Sequence, residues 1–195
     1  MSLLGIDVGT TGCKSVVFNE EGEQLASAYR EYDVQAPRPR QAELDSEGVW
    51  IRIKETIASA ASKAGRKDPI RALAVTSLGE AVVPLGKGGE ILGRSILNVD
   101  VRGEEYVEPF RKRVPETELY DVNGNVLANQ YTLPKLMWLK ENDRELYDRT
   151  ERFLLWGSFV SHKLGGEACV DFSLANRTLL FDLQTKDWSD RMLAA

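Results

Sequence analysis

Three short apolar-rich runs open the chain, Leu3 to Ile6, Lys14 to Phe18 and Glu23 to Tyr29, and their spacing predicts a meander of antiparallel strands. The link between the second and third runs, Asn19-Glu20-Glu21-Gly22, has turn residues at both ends. After the proline-rich stretch APRPRQ (36–41), Ser46 stands where a helix cap belongs. Val49, Ile53, Ile57, Ala60 and Ala64 then follow at steps of three and four, up to Gly65. A stripe of that period has one face to bury, and a sheet is its natural partner. Ala72 to Val75 is apolar without alternation, which predicts a central strand covered on both faces. AVVPLGKGGEILG (81–93) reads as a hairpin turned at Gly86 to Gly89, and RSILNVDVRG (94–103) as a strand that stops at Asp100 and Arg102. Beyond Gly103 the period becomes helical, over 106–113, 134–142 and 143–150. Short strands come next at 152–155 and 179–182, with a helix over 157–164 between them. Strands first in a meander and then mixed with helices imply an α/β domain with a mixed β-sheet and flanking helices.

Composition narrows the function classes. Among 195 residues, 43% are hydrophobic and 28% charged, ordinary for a folded domain that buries a sizeable core. Lys and Arg number 25 against 30 Asp and Glu, a net charge of -5, so nothing draws the chain to nucleic acid. Cys13 and Cys169 have neither metal-ligand spacing nor a pairing pattern and read as small hydrophobes in a reducing compartment. No apolar run approaches the roughly 20 residues of a membrane span and no secretory leader opens the chain, so the expected location is cytoplasmic, with no membrane partner. The end, DWSDRMLAA, reads as a helix just begun, and the expectation is a chain cut from something longer.

Candidate chemistry concentrates in LLGIDVGTTGCK (3–14). A strand ending in Asp7 offers a carboxylate for Mg2+, directly or through water. Gly9 lets the backbone approach a ligand, Thr10 and Thr11 supply hydroxyl and amide groups, and Lys14 returns a positive charge. The same residues also make a plain hairpin turn, the commoner outcome for such a loop. A P-loop fits less well still, because Lys14 to Phe18 reads as strand where that motif needs a helix. His162, the one histidine, has no nucleophile or metal-type neighbour at useful spacing and is set aside as a base.

GIDVGTTGCK with its meander is similar to the first phosphate-binding element of the actin, sugar kinase and Hsp70 superfamily. The segments QAELDSEGVW (41–50), AVTSLGEAVVPL (74–85), SILNVDVRG (95–103), LPKLMWLKEN (133–142) and GGEACVDFSLANRTLLFDLQTKDWSDRML (165–193) resemble one branch of it, the FGGY carbohydrate kinases. The resemblance implies an actin-like (ribonuclease H-like) fold, with residues 1–195 as the sugar-binding N-terminal domain. The ATP-binding C-terminal domain and the family's aspartate base would lie after Ala195, leaving no catalytic residue in this chain and no turnover by it alone. It implies ATP and Mg2+ as cofactors, with Asp7 facing Mg2+ through water and Gly9, Thr10, Thr11 and Lys14 around the phosphates. Gly79, Glu80, Asn98, Asp100, Arg102 and Gln130 would face the acceptor. Leu78 and Gly79 stand where glycerol kinases carry glutamine and arginine, and Asn98 replaces a tryptophan. A sugar or polyol of the xylulose, gluconate or erythritol kind is therefore expected rather than glycerol. Asp171, Ser173 and Asn176 are expected to hold the domain together, and Trp188 to sit in its core. Two rivals stay open at this point: a non-catalytic sugar-binding or regulatory module with the kinase fold, and, less well matched, another ATPase of the superfamily. A homodimer is also among the expectations.

Overall fold

The computed structural model describes residues 1–65 and 69–195. β1 (Ser2–Val8) and β2 (Gly12–Phe18) pair antiparallel from Leu3 opposite Phe18 to Val8 opposite Cys13, and β3 (Gln24–Glu31) continues the meander along β2. Period two sorts their side chains: Leu4, Ile6 and Val8 are buried, while Leu3 and Asp7 face the other way and are exposed. After β4 (Glu43–Leu44) comes α1 (Ser46–Ala64), which lies over β2 and β3 and buries Val49, Ile53 and Ala60. A buried bond of 2.9 Å between the hydroxyls of Ser15 and Thr56 stitches helix to sheet. The cap of α1 is Asp45 and not Ser46: its carboxylate accepts from Gly48 N at 3.2 Å, while Ser46 is itself the first helical residue. Both types cap well, and geometry chose the one whose oxygen reaches the third amide.

β5 (Ile70–Ser77) then pairs parallel with β1, giving the order β3-β2-β1-β5. This corrects the expectation of a covered central strand. β5 is the last strand of its sheet among the described residues, and Leu73 is 45% exposed on it. Its unbroken apolar run marks a strand that suits burial on both faces, but the described residues supply no strand beyond it.

The remainder is mostly helical. β6 (Val82–Leu85) and β7 (Ser95–Ile96) precede α2 (Glu104–Arg113), α3 (Glu116–Asn123), α4 (Thr132–Asn142) and α5 (Arg144–Arg149). β8 (Arg152–Leu155), α6 (Trp156–Lys163), α7 (Phe172–Asn176), β9 (Phe181–Asp182), β10 (Asp187–Trp188) and α8 (Asp190–Leu193) complete the chain. The expected hairpin over 81–93 exists only as the turn and a single Leu85–Ile91 bridge. The strand partner of β6 is β8, and β7 pairs with β4. Two apolar clusters form the core. One lies under the sheet around Ile6, Ile53, Trp156 and Phe159, the other between the later helices around Phe110, Leu119, Leu179 and Met192. One expectation about this region fails: Trp188 is 44% exposed, meeting Phe181 edge-on; of the two cysteines, Cys13 is buried and Cys169 exposed. No helix among the described residues is long and apolar enough to cross a membrane.

Candidate functional site

β1 and β5 run parallel, so both end at the same edge of the sheet, and Leu78 N donating to Val8 O at 2.8 Å keeps them together past the last paired residues. The loop after β1 and the turn after β5 therefore emerge side by side. Outside the carboxyl ends of parallel strands is where open α/β sheets bind ligands.

The loop after β1 is a tight hairpin closed by Gly9 N donating to Gly12 O at 2.9 Å. Tyr32 braces it from β3's side, its hydroxyl donating to Gly9 O at 2.7 Å and its amide to Thr11 O at 3.2 Å. Burial, with smaller contributions from the neighbouring Cys13 and Asp7, raises the Tyr32 phenol well above the usual range and keeps it a donor. Asp7, Thr10, Thr11 and Lys14 are exposed around this loop, and Gly9 is half-buried. Register puts Asp7 opposite Lys14 on β2 and opposite Thr76 on β5, all three on one face. Among the described residues no group of three His, Cys, Asp or Glu could enclose a metal. A lone exposed carboxylate fits Mg2+ all the same, since that ion commonly takes one or two carboxylates and fills the rest of its shell with phosphate oxygens and water.

The turn after β5 is strained. Glu80 has φ of 59°, the left-handed region that costs a residue with a Cβ roughly 1–2 kcal/mol, and Ala81 N donates to Gly79 O at 2.6 Å beside it. Three contacts hold it there. The Thr132 hydroxyl donates to Glu80 O at 2.5 Å, Arg177 Nε donates to Glu80 Oε1 at 2.6 Å, and Arg177 Nη2 pairs with the same oxygen. Glu80 is buried, not the solvated strand-end glutamate that its sequence context alone would favour.

Asp100 and Arg102 form a different kind of cluster. Asp100 is 1% exposed and its carboxylate accepts from Ala42 N at 2.6 Å and from Arg102 N, Nε and Nη2 at 2.8, 3.0 and 2.6 Å. Arg102 Nη1 donates to Glu43 Oε1 at 2.6 Å, and Lys135 Nζ donates to the carbonyls of Asp100 and Arg102 at 2.6 and 2.8 Å. Burial alone would lift the Asp100 carboxyl, but hydrogen bonds from Arg102 and the Ala42 amide outweigh it and hold the group below its ordinary range. Burial pushes the Lys135 amine down to about 8. Asn98, just before this cluster, is exposed, and so is Gln130. Asn129 Nδ2 donating to Asp100 O at 2.8 Å brings the segments that carry Asn98 and Gln130 together.

Further on, Asp171 caps α7 by accepting from Ser173 N and Leu174 N. Asn176 Nδ2 donates to Asn123 O at 2.5 Å and its Oδ1 accepts from Asn125 Nδ2 at 2.7 Å, so this segment does bind the domain together. Sequence reading passed over Tyr32, Thr132, Lys135 and Arg177. Only Lys135 left a trace, as a cation within the apolar run of its helix.

A model of the FGGY family of carbohydrate kinases, N-terminal domain, matches residues 2–195. The chain is 29% identical over 192 residues to a xylulose kinase of Klebsiella pneumoniae, covering 98% of this chain and 39% of that protein. It is 31% identical over 199 residues to a glycerol kinase of Leptospira biflexa, covering 97% of this chain and 40% of that one. The solved xylulose kinase of Rhodospirillum rubrum superposes with a TM-score of 0.94 at 25% identity, over all of this chain and 40% of its own. The chain thus spans about two fifths of the length of these relatives.

Proposed function

Because the chain belongs to the FGGY family of carbohydrate kinases, we propose that it forms the sugar-binding side of an enzyme that moves the γ-phosphoryl group of ATP to a hydroxyl of a sugar or polyol. The observation that carries this reading is the emergence of the Asp7 loop and the Glu80 turn at one sheet edge, on adjacent parallel strands. Phosphoryl transfer asks a protein mainly to position two partners and to neutralise charge on oxygens, and the two loops divide that work. Asp7 would hold Mg2+, with Thr10, Thr11 and Lys14 around the phosphates; Mg2+ and ATP, when bound, would supply the neutralising charge and the transferred group. Glu80 takes hydrogen bonds from acceptor hydroxyls, with Gly79, Asn98 and Gln130 as further acceptor-side residues. Asp100 and Arg102 act from behind, their polar atoms being spent on each other and on Glu43. The general base and the adenosine site belong to a second domain, so residues 1–195 alone do not turn over.

The named relatives are a xylulose kinase and a glycerol kinase, so their likeness favours neither acceptor, and the preference against glycerol rests on the SLGEA turn and on Asn98. A coupled ADP-release assay of the complete gene product against xylulose, gluconate, erythritol and glycerol tests the reading. Turnover of at least one, lowered at least about 100-fold in Asp7→Asn, is expected. A complete protein inert toward every sugar and polyol tried, or an Asp7→Asn variant as active as its parent, would sink it.

A further inference from the structure

Arg177 follows α7, outside every segment to which the site reading gives a role in binding, yet from 97 residues away it bonds the side chain of Glu80, whose backbone is in the left-handed region. Its backbone is locked, because Thr132 N donates to Arg177 O at 3.4 Å and Leu133 N to Thr178 O at 3.1 Å, tying the segment to the first turn of α4. One face of the guanidinium is also closed: Cζ lies 4.7 Å from the ring centroid of Tyr131, whose hydroxyl is held by Asn125 Oδ1 at 3.2 Å. Gly79 borders the arginine, with Arg177 Cγ 3.7 Å from where a Cβ there would stand, an ordinary contact distance. Both guanidinium contacts converge on Glu80 Oε1, and Oε2 accepts no hydrogen bond from the described residues. Arg177 keeps 36% of its side chain exposed while Glu80 keeps 8%.

We propose that Arg177 and Glu80 act as one acceptor-binding unit, with Arg177 the specificity-determining member, and that its ligand is a pair of neighbouring hydroxyls on a neutral sugar or polyol. Glu80 Oε2 accepts from one hydroxyl, and the N–H edge of Arg177 not used on Oε1 donates to the oxygen of the next. The strain at Glu80 fits this role, since backbone outliers persist where surrounding contacts over-determine them, at ligand clamps among other places. Charge decides the class of acceptor. The pair is neutral as a unit, so a hydroxyl pair meets one donor and one acceptor, whereas the carboxylate of a sugar acid would have to sit beside that of Glu80. Of the acceptors expected, a ketopentose or a neutral polyol fits and an aldonate does not.

The inference rests on the kinase reading for its kinetic test, so binding is measured as well. In the complete protein, Arg177→Gln is expected to raise the KM for xylulose or the preferred neutral polyol about 10- to 100-fold, with the KM for ATP within about twofold of the parent. Arg177→Lys recovers part of the loss, and Glu80→Gln combined with Arg177→Gln costs less than the product of the two single effects. The parent prefers the neutral acceptor to gluconate, and Glu80→Gln narrows that preference. An unchanged acceptor KM in Arg177→Gln, or an equal rise in both KM values, overturns the proposal while leaving the kinase reading intact, as does a parent that prefers gluconate. A parent that binds xylulose or a polyol by saturation-transfer NMR but phosphorylates nothing overturns the kinase reading instead. The Arg177 proposal then stands only if Arg177→Gln abolishes that NMR signal, and falls if the signal persists.

Discussion

Asp100→Asn tests whether the buried ion cluster carries the stability that its geometry implies. The substitution keeps shape and volume but converts one oxygen to NH2, and neither oxygen can be spared. Oδ1 accepts from Arg102 N and Nε, and Oδ2 accepts from Ala42 N and Arg102 Nη2, so either orientation of the amide sets its NH2 against two donors. Arg102 is at the same time left buried with Glu43 as its remaining ion partner. Breaking a buried pair by removing one member costs about 3–5 kcal/mol, because the other charge stays desolvated without compensation. For a chain of this size each kcal/mol moves the melting midpoint by about 2–4 °C, so a fall of roughly 6–20 °C is expected by calorimetry. Arg144→Ala, which breaks an exposed pair with Asp148, serves as control and should leave the midpoint where it was. Acid supplies a second readout. The Asp100 carboxyl is depressed in the folded state, so its contribution is fully present above the unfolded carboxylate pKa of about 3.9 and disappears as pH falls through the folded value. The parent should therefore lose stability below about pH 4 more steeply than Asp100→Asn does. A variant that melts within about 2 °C of its parent and keeps the parent's acid profile would refute the reasoning.

Lys135 gives the opposite pH dependence: its amine titrates near 8 when folded and near 10.5 when unfolded, so the burial cost is complete below pH 8 and is relieved as pH rises toward 10.5. The stability of the parent measured against Lys135→Met should rise by up to about 3 kcal/mol across that window in urea titrations, and a difference that stays flat would show the amine to be ordinary. Gly103 has φ of 91° and a Cβ there would lie 2.4 Å from Pro134 O, a backbone atom, whereas Gly22 at φ of 83° faces open space. Gly22→Ala should cost only the left-handed strain, about 1 kcal/mol, and Gly103→Ala at least twice that. Equal losses on denaturation would mean that α4 yields to the intruding methyl.

What the sequence made legible was mostly local. The hairpin after β1, the turn at Asn19 to Gly22 and the helical periods were read from neighbours within a few residues, and they stand where expected. Errors came where two local answers were equally good. Asp45 and Ser46 are both capping residues, and an unbroken apolar strand looks alike at the centre of a sheet and at an edge that its own segment does not extend. Long-range pairing was out of reach for a different reason, because nothing near Glu80 announces an arginine 97 residues later.

The same limit explains why Asp100 and Asp7 looked alike in the sequence, as aspartates closing strand-like runs, and proved to be different. A ligand needs hydrogen-bonding capacity that the protein has not already used. Asp100 has both oxygens engaged by four donors and is 1% exposed, so a substrate hydroxyl could bind it only by displacing bonds that hold the fold. Asp7 is exposed at a strand end with a lysine across from it, and Glu80 keeps one oxygen unengaged while an arginine fixes the other. Residue type selects which side chains could do the chemistry, but the tally of hydrogen bonds decides which of them still can. By that tally the capacity left over for a ligand lies at Glu80 with Arg177 and at Asp7 with its loop, the two ends of the proposed site, while the Asp100 cluster spends its own on joining residues 42–43, 100–102 and 135.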